Sequence, residues 1–162
     1  MITGSGLIEA IRRAWSPIPA PPVEDLRHLA KSAHDTLAGV APMEVDIESP
    51  GFQAATPLLE LPPRAAAAYL GPYLLNLVRE IEEQRATGFS LDVLARADTV
   101  AALLQPFFWE RVVRTHLPVG SQEVLGEVVA YLTAEPQLVP LTDEEVQMLR
   151  SLASDDSSSL HK

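Results

Sequence analysis

The run AAAAYLGPYLLNLV at residues 65–78 limits this chain more than any other stretch. It lies between Arg64 and Arg79 and holds fourteen residues without a charge, interrupted only by Gly71-Pro72. A helix that crosses a bilayer needs about 20 apolar residues, so the run is too short to span. Leu70, Tyr73, Leu74, Leu77, Val78 and Ile81 fall at i, i+3, i+4, i+7, i+8 and i+11, which is one face of a helix. Asn76, Arg79, Glu80 and Glu83 take the other side. The pattern predicts a core helix with a wet face. Pro72 has no N–H and restricts the residue before it. The spacing therefore predicts a sharp kink, or two helices over 63–70 and 72–86.

The same period, punctuated by proline, recurs along the chain. Leu7, Ile8, Ile11 and Trp15 share one face of a helix expected over 7–15. The segment SPIPAPP at 16–22 predicts a stiff, extended strap over the core. A second helix fits 23–38, closed by Gly39. Met43, Val45 and Ile47 then alternate with Glu44, Asp46 and Glu48. That period of two predicts a half-buried extended segment, at most one short strand. Ser90 and Asp98 are expected to cap helices over 91–96 and 99–104, and Pro106 suits the first turn of a helix reaching His116. Val124, Leu125, Val128, Val129 and Leu132 stripe a helix over 122–134. Thr142, three residues before Glu145, opens a last helix to residue 153 with a capping box. Residues 154–162 carry too little apolar surface to pack and are expected to form a disordered tail. The fold class is all-α: one domain over 7–153, a compact irregular bundle of about seven short helices with many proline breaks.

Chemistry is sparse. The chain has no cysteine, which excludes disulfides and thiolate chemistry. His28 and His34 stand six apart, on different faces of their helix, and His161 lies in the tail. His116 follows Val112 by four residues, which places it by the apolar face as a buried or rim histidine. No metal ligand set is expected. There is no G-x-S-x-G elbow. TGSG at 3–6 resembles part of a phosphate loop but lacks the Gly-Lys-Ser that follows one, and reads as a flexible start. No catalytic residue and no cofactor is expected, so the chain is read as non-enzymatic. Its start has no basic region leading into an apolar one. Of its 12 basic residues ten are arginine, and a bacterial, cytoplasmic protein is the expectation.

Charge points to a class of partner. The net charge of −10 repels phosphate backbones and anionic lipid surfaces and steers basic proteins in. Basic residues are scattered singly or in pairs such as Arg12-Arg13, so nucleic acid is excluded as a partner, and the short apolar run excludes a membrane. On an extended segment Glu44, Asp46 and Glu48 would stand about 6.6 Å apart as an acidic comb. Glu123 and Glu127 would form a ridge on one helix face. These five are the candidate partner-binding residues of an immunity- or antitoxin-type protein that occludes a cognate basic toxin. The alternative is a cytosolic structural or adaptor protein working through an apolar groove near Tyr69, Tyr73, Phe107, Phe108 and Trp109.

Three blocks, LIEAIRRAWSPIPAPP at 7–22, LLELPPRAAAAYLGPYLLNLV at 58–78 and LPVGSQEVLGEVVAYL at 117–132, together resemble a small bacterial family of all-helical proteins whose function is unknown. That family carries an L-T-P-E-A…Y-L-P-A-Y-L-L block. Here Pro62 and Arg64 stand where the pattern has Thr and Glu, and Gly71-Pro72 replaces Pro-Ala. The first departure removes a helix cap and the second moves the kink. The resemblance implies a helical fold and supplies no catalytic residue.

Overall fold

A computed structural model describes residues 3–49, 52, 58–88, 94–134 and 138–159, apart from the side chains of 32, 94–96 and 155–159. The helices in chain order are α1 (Gly4–Trp15), α2 (Lys31–Leu37), α3 (Pro63–Thr87) and α4 (Leu94–Leu103). In α5, Pro106–Phe108 and Arg114–His116 are α-helical and flank a π-turn, Trp109–Val113. Then come α6 (Val119–Ala134) and α7 (Asp143–Ser159). Short 3₁₀ turns at Val23–Leu26, Pro42–Glu44 and Leu58–Glu60 link the early elements. No strand occurs among the described residues. The chain is an all-α bundle with proline breaks.

The uncharged run is the axis of that bundle, and it differs from expectation twice. First, the division into two helices does not occur: α3 continues through Gly71 and Pro72 as one helix. Glycine has no Cβ to conflict with the following proline ring, so helical geometry survives before it. Second, every residue from 65 to 78 is buried, Asn76 included at 4% exposure. A wet face starts only at Arg79. The cause is the packing around it: α1, α4 and the π-turn of α5 all lie against α3, so burial is all round rather than one-sided.

Gly71 also fixes where α1 crosses α3. A Cβ built on it would stand 2.6 Å from Trp15 Cδ1 and 2.9 Å from Cδ2, so the indole fits only against glycine. Trp15 is fully buried and its Nε1 donates to the Ala67 carbonyl at 3.1 Å. That carbonyl sits one turn before Gly71. The Gly-Pro pair is thus a packing notch.

At the other end of α1, Thr3 Oγ1 accepts the Gly6 N–H at 3.1 Å. TGSG is therefore a capped first turn and not a flexible start. The helix expected over 23–38 divides into a 3₁₀ turn and α2, with Gly39 beyond it at φ +75°. Residues 94–103 form one helix with Asp98 and Thr99 inside it, so Asp98 does not stand at a helix start. Ser90 lies outside the described residues. The capping box is present in both directions: Glu145 N–H donates to Thr142 Oγ1 at 3.1 Å, and Thr142 N–H donates to Glu145 Oε1 at 2.9 Å. The helix it opens runs to Ser159. Residues 154–159 belong to that helix, with no glycine or proline to stop it; residues 160–162 lie outside the described ones.

Candidate functional site

Small side chains and a stiff strap leave an opening in the bundle. Beyond α1 the chain turns by donating Ile18 N–H to Trp15 O at 3.1 Å, then runs through residues 19–22 without helix or strand. The alanines at 65–68 give α3 little bulk where the strap passes. Between them lies a cleft of about 630 Å³, lined by Pro17, Ile18 and Pro21 of the strap, by Ala67 and Ala68 of α3, and by Leu117 at the α5–α6 corner. Volumes of this size suit small organic ligands. Val23 and Val119, next in sequence to the lining residues Pro22 and Gly120, are exposed by 45% and 71%.

The polar groups of the cleft are few. Ser121 is buried and its Oγ donates to the Ala14 carbonyl at 3.2 Å, so its proton goes to a main-chain acceptor rather than to a base. Arg64 grips Asp25 with two bonds, Nε to Oδ2 at 2.6 Å and Nη2 to Oδ1 at 3.1 Å. The Arg64 hydrogen bonds hold the Asp25 carboxyl below its usual value, against an opposing desolvation effect. This pair ties the end of the strap to the first turn of α3. Arg13 and His116 are exposed and make no side-chain hydrogen bond or ion pair with another described residue. No carboxylate lines the cleft. In a chain of net charge −10, this is a local cationic spot.

His116 reaches that spot through the π-turn. A regular α-helix would put residue 116 on the face of Val112, buried. The π-turn inserts one extra residue into the register, so residue 117 takes that face instead. Leu117 is indeed buried and His116 exposed. Thr115 Oγ1 bonding back to Glu110 O, at 2.7 Å, spans five residues in the same way.

The five acidic candidates fare differently. Residues 43–48 are not extended; a 3₁₀ turn ends at Glu44, and Asp46 Oδ1 accepts the Glu48 N–H at 3.1 Å. Such a side-chain-to-backbone bond turns the chain locally. Val45 and Ile47 are buried while Glu44, Asp46 and Glu48 are exposed, so the alternation reported burial correctly, but no linear comb exists. Charge there is also compensated. Arg79 Nη2 donates to Glu48 Oε1 at 2.6 Å, and Arg12 and Arg79 line the same groove as Asp46 and Glu48. Glu123 and Glu127 are exposed, one turn apart on α6, without an ion pair to a described residue. The comb borders α1 and α3 while the ridge rides on α6, and the structure does not gather them into one site.

Among the described residues the five named aromatics form no exposed groove. Tyr69, Tyr73, Phe108 and Trp109 are buried, and of the five aromatics only Phe107 is exposed. Tyr69 OH faces the carbonyls of Leu37 at 2.5 Å and Val40 at 3.0 Å, securing the end of α2 to α3. Burial pushes its hydroxyl up to about 12. Tyr73 is pushed up too, first by burial and then by the nearby Asp98 charge, and its ring meets Phe52 with centroids 4.8 Å apart. Among the described residues no three His, Cys, Asp or Glu side chains group as a metal set, and no helix is long and apolar enough to cross a membrane.

The sequence named the strap but missed the cleft. Its local traces were the proline-rich connector at 16–22 and the alanine run at 65–68, but no spacing rule shows that they meet, or that residue 116 joins them. No family model matches the chain, and no curated protein or solved structure matches it either.

Proposed function

We propose that this protein is a non-enzymatic binding module whose site is the strap cleft. One observation carries the reading: an apolar opening of ligand size is lined by the Arg13 guanidinium and the His116 imidazole, neither in an ion pair with a described residue, and by no carboxylate. The committed Ser121 proton supports a binding rather than a hydrolytic role. A thermal-shift screen of small apolar and amphipathic compounds tests it on the full chain and on Gly120→Leu. Gly120 lines the cleft and has nothing within 4 Å of a built Cβ, so a side chain added there starts from open space at the cleft wall and adds bulk to the lining. Compounds should raise the melting temperature of the wild type and not of the variant. Equal shifts in both would place binding elsewhere.

A second reading, capture of a basic protein partner as by an immunity or antitoxin protein, is favoured by Glu123 and Glu127. Exposed and unpaired, they present the acidic ridge that the compensated comb does not. Association with a basic candidate partner should be slower and less salt-dependent for Glu123→Gln/Glu127→Gln than for wild type. Identical kinetics would remove the ridge from consideration.

A further inference from the structure

We infer that the strap cleft takes a small amphipathic monocarboxylate, an apolar chain or ring bearing one acid group, with the carboxylate on Arg13. The inference rests on the cleft being the binding site, and four features of its lining narrow the ligand.

The first is charge. Two guanidiniums line the cleft, but Arg64 is already engaged in two bonds by Asp25, which leaves Arg13 as the unpaired one. One free guanidinium matches one carboxylate through charge-assisted hydrogen bonds, with the His116 imidazole on the same lining as a further hydrogen-bonding group. The second is apolarity. Ala67, Ala68, Ile18 and Leu117 offer only hydrocarbon to the body of the ligand. The third is size, since about 630 Å³ holds a molecule and not a folded surface.

The fourth feature excludes a peptide strand. A bound peptide draws affinity from main-chain pairing, which needs N–H donors along the wall. In residues 17–22 four positions are proline and have no N–H, and Ile18 N–H is spent on Trp15 O. Only the Ala20 N–H is left to that stretch. The strap wall cannot pair with a strand, whereas a hydrocarbon chain needs no donor from it.

Isothermal titration of the full chain with decanoate, octanoate, decanol, decylamine and a tetrapeptide with a free C-terminal carboxylate tests this. Decanoate should bind roughly fifteenfold more tightly than octanoate, because each of its two extra buried methylenes is worth about fourfold. It should bind about tenfold more tightly than decanol, the worth of one charge-assisted hydrogen bond. Arg13→Gln should remove that preference and leave decanol unchanged, and Gly120→Leu should abolish binding of both. The decylamine arm is stringent, because a net charge of −10 attracts the amine to the surface as a whole; a preference for the acid can only be local. If decanoate and decanol bind equally and Arg13→Gln changes nothing, the cleft binds ligands but the carboxylate assignment fails. Tighter binding of the tetrapeptide than of decanoate overturns the small-acid class as well. No binding by any probe overturns the cleft reading itself.

Discussion

Gly71→Ala and Gly126→Ala are the same substitution in two helix interiors, and the structure gives them opposite signs. At Gly71 the new methyl would stand 2.6 Å from Trp15 Cδ1 and 2.9 Å from Cδ2. The indole is fully buried and bonded to Ala67 O, so it cannot swing aside without losing that bond and disturbing α1. Overpacking of this kind costs about 1–3 kcal/mol and a lost hydrogen bond about 1 kcal/mol. The better helix propensity of alanine offsets about 1 kcal/mol. The net is a destabilisation of about 2 kcal/mol, or about 4–8 °C in melting temperature for a chain of this size. At Gly126 on α6 nothing lies within 4 Å of the new methyl, and only the propensity gain remains, about 0.5–1 kcal/mol of stabilisation. Thermal unfolding followed at 222 nm and by tryptophan emission measures both. A Gly71→Ala protein as stable as wild type would show that Trp15 does not sit on α3 as described.

Two further outcomes follow from the core. The chain has 3 tyrosines; burial raises all of them, Tyr69 and Tyr131 to about 12, with Tyr131 also held by donating to Glu82. A group whose folded value is raised contributes stability that is fully present below its unfolded value and lost as pH rises through the folded one. Stability should therefore be flat to about pH 10 and fall between 10 and 12, and absorbance at 295 nm should show no native tyrosine ionising near 10; one that did would contradict the burial. The π-turn makes the second: Leu117→Ala should cost about 2–4 kcal/mol and His116→Ala less than about 0.5 kcal/mol, measured by urea denaturation, and the reverse order would restore a regular helical register.

Short-range rules read well from the sequence and long-range ones did not. The Thr142–Glu145 box, Pro106 at a first turn and the stripe of α6 depend on neighbours within a turn or two, and each appears where the spacing put it. Asp46 shows the limit of periodicity: alternating burial arises from a turn as readily as from a strand. His116 shows another, because a register shift of one residue is invisible to a count of fours. The wet face expected for α3 holds at Arg79, Glu80 and Glu83 but not at Asn76, since amphipathicity counts charges on a helix but not the helices that surround it. The cleft combines residues 13–22, 64–68 and 116–121, and no local pattern announces that these meet. Arg13 reads in the sequence as half of a basic pair; its place on the cleft lining, where no carboxylate stands, distinguishes it.

Backbone amide shift mapping of the full chain with decanoate tests the central claim most directly. Binding in the strap cleft should move the amides of Arg13, Ala20, Ala68, Leu117, Gly120 and Ser121 together, with one dissociation constant, and leave Glu123, Glu127 and the Asp46 turn in place. Shifts confined to the acidic ridge of α6, or none at saturating ligand, would contradict it.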